Sequence, residues 1–429
     1  MRFDPIDRLA GDLAPPPDKS ISHRAAIVGA MSDGPVRVRG YLRSADTSAT
    51  LEAVAALGAR LVDVQPRGGG LDLELVGAGL RGADPSAAAI DVGNSGTLIR
   101  VLPGWLAGQP RGRWVLHGDD SVARRPVDRV VHPLRRMGAT VDCRDGGLPP
   151  IVVEGSDLHG VVYELPVASA QVKSSVLLAG LLAEGDTTVV EPLSTRDHTE
   201  IMLRTAGAGV HTEDGRVTVG PQRGLELGEV DVPGDFSSAA FFIVAATLVP
   251  GSELRLRGVG VNPTRTGFLR VLERMGGEVE VDQQASSGGE PAAHIVVRSG
   301  RLRGTAVEPE EVPLTIDELP LVALLGAFAE GTTIVRGAQE LRRKESDRVT
   351  TVVDGLRGLG ARIEAAPDGF VVAGGGELQG GTIDARGDHR IAMLGAVAGM
   401  VSRAGVEVEG FEAAAVSYPT FADDLRRLV

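Results

Sequence analysis

Hydrophobic positions in this chain follow two alternating periods. Six times, a short polar opening rich in Ser, Asp or Asn runs into a helix of small and apolar residues. The openings are Pro17-Asp18-Lys19-Ser20, Gly93-Asn94-Ser95-Gly96-Thr97, Ser169-Ala170-Gln171, Gly234-Asp235-Phe236-Ser237, Asp317-Glu318-Leu319-Pro320 and Gly387-Asp388-His389-Arg390. Short alternating runs such as VRVRG, TTVVE, LRLRG, TIVRG and VEVEG follow these helices, and their period of two predicts strands.

A second repeat interleaves with the first. Helices ending at Gly58, Gly138, Gly207, Gly276 and Gly360 each lead into another candidate strand. Glycine suits these positions because the chain needs positive φ to leave a helix. The glycines are 80, 69, 69 and 84 residues apart. A sixth unit ends with a terminal helix, Phe421 to Leu428, that has no strand left to feed. Single cores stop growing near ~250–300 residues, so 429 residues predict an α/β protein of six units, three to a lobe.

No run of 18 uncharged apolar residues is present, which gives no membrane span. The opening MRFDPIDRLAGDLAPPPDKS has no apolar export core, so a soluble cytoplasmic protein is expected. Cys143 is the only cysteine, excluding an intrachain disulfide and any cysteine-built metal site. A net charge of −13 argues against a nucleic-acid partner held by counterion release. Yet Lys19, Arg24, Arg100, Lys173 and Arg390 recur at the helix openings, with more cations in LRRKESDR. Helix N-termini already favour anions, so a small polyanion is the expected ligand. Walker A, dinucleotide and HExxH motifs are absent. Gly68-Gly69-Gly70 and Ser286 to Ala293 read as surface turns without chemistry, and His117, His132, His198 and His211 as structural or surface histidines.

Lys19-Ser20-Ile21-Ser22-His23-Arg24 combines hydroxyls with two or three cations, which is phosphate-binding chemistry. Asn94, Gly96 and Thr97 supply a small-residue helix mouth that a ligand oxygen can approach. Lys344, Glu345 and Arg348 share one helix face if the helix opens at LRRKESDR. Acid-base chemistry needs two carboxylates, or a carboxylate and a lysine, about one centre. Asp317, Glu345 and Lys19 are the candidates.

The stretches PPDKSISHR, DVGNSGTLIR, SAQVKSSVLLAG, STRDHTEIMLRTAGA, VPGDFSSAAFF, NPTRTG, IDELP, ELRRKESDRV and GDHRIAM occur in that order over residues 17 to 393. In this combination the chain resembles the 5-enolpyruvylshikimate-3-phosphate (EPSP) synthase family of enolpyruvyl transferases. The resemblance implies a two-lobed, inside-out α/β barrel with helices inside and strands outside. It places residues 1–13 with 233–429 in lobe one, 14–232 in lobe two, and the active site in the interlobe cleft. Shikimate 3-phosphate is then held by Ser20, Arg24, Ser169, Gln171, Asp317 and Lys344. Phosphoenolpyruvate falls to Lys19, Asn94, Gly96, Thr97, Arg125, Gln171, Arg348 and Arg390.

The implied reaction joins the 5-hydroxyl of shikimate 3-phosphate to C2 of phosphoenolpyruvate as C3 is protonated, then expels phosphate with loss of a C3 proton. Asp317 is assigned the hydroxyl proton and Glu345 the methylene proton, with Lys19 near both and no metal or cofactor. Two residues depart from the family pattern. Val416 stands where many members carry a lysine, and Arg196, in a stretch resembling the glyphosate-tolerant subgroup, is the expected substitute at phosphoenolpyruvate. Ala45 replaces a common second acid beside Asp46. Alternatives are an enolpyruvyl transferase on a related acceptor and a non-catalytic phospho-ligand-binding protein. UDP-N-acetylglucosamine enolpyruvyltransferases match less well, because Cys143 lies beyond a helix end rather than in a mobile loop. A monomer without nucleic-acid or membrane partners is expected.

Overall fold

The computed structural model describes residues 1–284 and 289–429. They form two compact units. Unit one takes Met1–Pro16 and, from Pro233 to Val429, the described chain apart from the tip of one hairpin; unit two takes Pro17–Val232 together with Glu290.

One arrangement is repeated three times in unit two and twice in unit one, whose third copy lacks the hairpin. Strand Ala89–Asp91 pairs in parallel with Arg113–His117 across the Leu98–Ala107 helix, and the hairpin Thr140–Arg144 with Leu148–Glu154 adds two antiparallel strands. Val162–Glu164, Thr187–Val190, Arg216–Val219 and Val210–Glu213 repeat that order. A parallel pair needs a crossover, and the buried helix supplies it. The strand before the Lys19–Ala30 helix, Ala10–Leu13, instead pairs in parallel with Glu253–Gly260 of unit one. Its expected place beside Pro35–Leu42 is taken by Glu229–Asp231. Unit one therefore completes a sheet with a strand that precedes the Pro17–Val232 stretch, and unit two completes one with the last strand of that stretch.

The sixth sheet has three strands: Gly381–Asp384, Val406–Glu409 and the N-terminal Arg2–Phe3. The terminal helix, Phe421–Arg427, has no hairpin after it. The five glycines that close the second helix of the other repeats have φ between +86° and +101°, a region that a side chain would strain.

Helix openings are capped as their polar residues dictate. Asp18, Ser169, Asp235 and Asp388 accept from the backbone N–H of Ile21, Val172, Ser238 and Arg390. Behind these caps the helices are buried on nearly every side, with small and apolar residues over most of their length and polar ones such as Arg24 and Lys173 enclosed near the openings. In unit one Phe236–Leu248, Leu319–Phe328 and His389–Val401 pack on one another at the centre. The sheets wrap outside; along Pro35–Leu42, Val36 and Val38 face the core while Arg37 is exposed. No helix among the described residues is long and apolar enough to cross a membrane.

Three local expectations fail. The helix at LRRKESDR begins only at Arg348, because Asp347 caps it by accepting from Thr350 N–H at 3.1 Å. Residues Gln339–Arg343 form a 3-10 turn and Lys344 is extended, so no shared helix face aligns Lys344 with Arg348. Of the turn expected over Ser286 to Ala293, residues 286–288 lie outside the described residues. Beyond them Glu290 is buried against His198 Nδ1 at 2.7 Å, so that residue is structural rather than a surface turn position.

Candidate active site

The unit-two residues fall into two linked groups. Lys19 opens its helix and its ammonium sits 3.0 Å from Asp46 Oδ2. One turn on, buried Arg24 donates to the Ser20 carbonyl at 3.0 Å, to Thr199 Oγ1 at 2.7 Å and to Ser174 Oγ at 3.0 Å. Burial, reinforced by the like charge of Arg196 and opposed by Glu200, lowers the Arg24 pKa to about 10. Its charge is therefore poorly compensated, as a site awaiting an anion requires. His23 is not a third cation of this segment: burial first, then Lys19 and Arg24, hold its pKa well below the usual value.

The second group holds two hydrogen-bonded sets whose arginines both reach toward Gly96. Gln171 donates to Thr97 Oγ1 at 3.2 Å and accepts from Arg100 at 3.4 Å; Arg100 also donates to the Gly96 carbonyl at 3.0 Å. Arg125 donates to Ser121 Oγ at 2.6 Å and Asn94 Oδ1 at 3.4 Å, and Asn94 donates to Asp119 at 2.7 Å. Ser169 caps the helix that carries Gln171. A Cβ at Gly96 would lie 2.8 Å from one Arg125 nitrogen and 3.0 Å from one of Arg100. Gly96→Ala must push both guanidinium ends aside, a shift that flexible arginine side chains make at little cost in stability but that moves two cations of the helix mouth. If the resemblance places phosphoenolpyruvate at this helix mouth, Gly96→Ala is expected to raise the KM for that substrate and leave the KM for shikimate 3-phosphate little changed in steady-state kinetics.

Lys173 has a different place from that expected of a helix-start cation. Its ammonium is buried between Glu191 at 2.9 Å and Glu200 at 2.6 Å. Burial raises the Glu200 pKa even so, with Lys173 opposing. The triad is internal support for the helices that carry Arg24's partners.

In unit one, chemistry converges on Asp317. Oδ1 lies 3.4 Å from Arg348 and 3.7 Å from Lys344; Oδ2 lies 3.3 Å from Arg390 and 3.4 Å from Arg265. Arg390 also donates to the Asp317 carbonyl at 3.2 Å. Arg348 is buried and donates to both oxygens of Asp388, at 2.8 and 3.2 Å, and to Glu345. Burial alone would lower its pKa, but Asp388, Glu345 and Asp317 outweigh that and raise it. The crowded cations at this helix start are thus compensated by carboxylates from three segments before any ligand arrives. Glu318, the N-cap residue of the Leu319–Phe328 helix, makes no cap hydrogen bond and instead accepts from Ser237 and lies 3.9 Å from both Arg265 and Arg390.

Asp46, Arg100, Arg265 and Asp388 belong to these clusters but were not among the expected site residues. Arg100 carried a signal, as one of the helix-start cations. Arg265 stands in the NPTRTG stretch, but no local spacing points to its partners, which lie 30 to 53 positions away in the chain. Among the described residues no cluster of three or more His, Cys, Asp or Glu could hold a metal ion. The chemistry available is anion binding together with proton transfer by carboxylates and an ammonium.

Comparison with known proteins agrees over nearly the whole chain. The family model described as EPSP synthase (3-phosphoshikimate 1-carboxyvinyltransferase) matches residues 3–425. A 3-phosphoshikimate 1-carboxyvinyltransferase of Geobacter sulfurreducens is 48% identical over 418 residues, covering 97% of this chain and 96% of the relative. One from Shouchella clausii is 45% identical, covering 98% and 96%. The solved EPSP synthase of Acinetobacter baumannii superposes with a TM-score of 0.87 at 40% identity, covering 100% of this chain and 97% of that one. The enolpyruvyl transferase NikO of Streptomyces tendae shares the fold, with a TM-score of 0.78 at 20% identity.

Proposed function

The chain belongs to the EPSP synthase family, and we propose that Asp317, Glu345 and Lys19 carry the proton transfers of that family's reaction. The enzyme transfers the enolpyruvyl group of phosphoenolpyruvate to the 5-hydroxyl of shikimate 3-phosphate, giving 5-enolpyruvylshikimate 3-phosphate and phosphate. Its fold is the two-lobed enolpyruvyl transferase fold.

The observation that carries the residue assignment is the setting of Asp317. A buried carboxylate has within 3.7 Å the cations assigned to each substrate: Lys344 for shikimate 3-phosphate, Arg348 and Arg390 for phosphoenolpyruvate. In the proposed sequence the substrates' anionic groups engage Lys344, Arg348 and Arg390. Asp317 takes the proton of the attacking 5-hydroxyl while Glu345, protonated at this stage and with Lys19 assigned near it, delivers a proton to C3. The C2–O bond forms as the C2–C3 double bond is protonated, giving a tetrahedral phospho-ketal. Removal of a C3 proton, assigned to Glu345, re-forms the double bond as the C2–O bond to phosphate breaks. Lys19, Arg125, Arg348 and Arg390 receive the charge of the departing phosphate. Ser20, Arg24, Ser169 and Gln171 are assigned to shikimate 3-phosphate, and Asn94, Gly96, Thr97 and Gln171 to phosphoenolpyruvate.

A phosphate-release assay with phosphoenolpyruvate and a panel of acceptors tests the reading. Release dependent on shikimate 3-phosphate is expected, and release with another acceptor but not with this one would overturn it. We take the protein to act as a monomer in the cytoplasm, without membrane or nucleic-acid partners; the net charge of −13 supports the last point.

Arg196 tests the finer assignment. It is proposed as the phosphoenolpyruvate cation in place of the family's lysine near Val416, yet its charge is felt at Arg24. Arg196→Ala is expected to raise one KM selectively, since loss of a cation from a desolvated anion costs about 2–5 kcal/mol. A rise for phosphoenolpyruvate keeps the assignment. A rise confined to shikimate 3-phosphate moves Arg196 to the side of Arg24.

A further inference from the structure

We propose that His23, together with Thr50, is a positioning residue that fixes the Lys19–Asp46 pair for the phosphoenolpyruvate anion. This rests on the assignment of Lys19 to that substrate.

His23 lies four residues after Lys19 on the Lys19–Ala30 helix, and Thr50 four residues after Asp46 on the Ala45–Ala56 helix. The two helices pack on each other, so equal i, i+4 spacings make two successive rungs between them. The first is Lys19 Nζ to Asp46 Oδ2 at 3.0 Å; the second joins His23 Nδ1 and Thr50 Oγ1 at 2.7 Å. Thr50 Oγ1 also donates to the Asp46 carbonyl at 3.3 Å, tying the lower rung to the upper. With that proton committed, Thr50 accepts from His23 Nδ1–H.

The ring's other nitrogen, Nε2, is buried without a hydrogen-bond partner among the described residues. A buried polar atom left unsatisfied is costly, so packing alone would favour an apolar residue here. What the imidazole supplies is a neutral, rigid donor to Thr50. Burial and the charges of Lys19 and Arg24 keep it uncharged, which avoids a second cation beneath Lys19. A lysine side chain is long and flexible, and holding its partner carboxylate in register limits the positions its ammonium can take.

The test compares steady-state KM values for both substrates and kcat in His23→Leu, His23→Asn, Thr50→Val and the double variant His23→Leu/Thr50→Val, with thermal unfolding of each. Asn places an amide near the position of Nδ1 and keeps the bond to Thr50. The expected result is a roughly tenfold rise in KM for phosphoenolpyruvate in His23→Leu and Thr50→Val, with less than a twofold change for shikimate 3-phosphate. His23→Asn should be restored toward the parent, and the double variant should be no worse than either single one. Equal losses for both substrates, or an unchanged phosphoenolpyruvate KM in folded His23→Leu, would overturn the proposal. Lys19→Met serves as the control. A raised phosphoenolpyruvate KM there beside a normal one in His23→Leu removes the positioning role alone, whereas an unchanged KM in Lys19→Met overturns the assignment of Lys19 itself.

Discussion

Glu345→Gln is expected to lower turnover about 10²–10⁴-fold with little change in the affinity for either substrate. Glu345 lies three residues before Arg348, in the stretch between the 3-10 turn and the helix, and its carboxylate accepts from the Arg348 guanidinium. Its side chain is 22% exposed, so it reaches toward solvent from a buried cation. Glutamine keeps the shape and an acceptor for Arg348 but cannot carry a proton. If Glu345 exchanges protons with the methylene of phosphoenolpyruvate, one substitution should depress two observables together. One is turnover; the other is incorporation of solvent deuterium into the methylene group in the presence of shikimate 3-phosphate. Retention of both would take Glu345 out of proton transfer and leave Asp317 and Lys19. Lost turnover with normal exchange would mean that C3 gains and loses protons without Glu345, which then acts on phosphate expulsion through Arg348.

The repeats were legible in the chain because each unit's demands are local. A polar cap, an apolar helix, an alternating strand and a glycine exit are each set by neighbouring residues, and the caps of Asp18, Ser169, Asp235 and Asp388 form where the pattern places them. The exchange of Ala10–Leu13 for Glu229–Asp231 between sheets is a pairing across about 200 residues, and no local period encodes it. The site divides in the same way. Lys19, Arg348 and Arg390 stand at helix openings, where dipole and sequence both point to an anion. Arg265 and Asp388 matter because of partners on other segments, and an isolated Arg or a capping Asp looks the same in sequence whether or not a second charge faces it. Lys173 is the converse: it has the sequence position of a ligand cation, yet Glu191 and Glu200 enclose it.

Arg348→Met should be the most destabilising substitution in unit one, and its cost should depend on pH in a direction opposite to that of the parent. Arg348 is 1% exposed and bridges Asp388, Glu345 and Asp317. Removing one partner of a buried ion pair costs about 3–5 kcal/mol. In the parent, burial pushes the Asp388 carboxyl upward, but Arg348 outweighs it and leaves the pKa below 3.8. A group depressed in this way contributes stability that is complete above its unfolded value and lost as pH falls through its folded one. The parent therefore keeps the contribution throughout the neutral range and loses it only in strong acid. Without the guanidinium, burial is no longer opposed by Arg348 and the carboxyl rises above its unfolded value. Stability is then lowest where Asp388 must stay ionised, at neutral pH, and recovers as falling pH protonates it. Urea denaturation of parent and variant at pH 7 and pH 5 should show the deficit narrowing in acid, and Asp388→Asn in the Arg348→Met background should recover part of it at pH 7. A deficit that is the same at both pH values, or that Asp388→Asn does not relieve, would mean that Ser346 Oγ and the Arg390 N–H, which also bond Asp388, are enough to hold its charge.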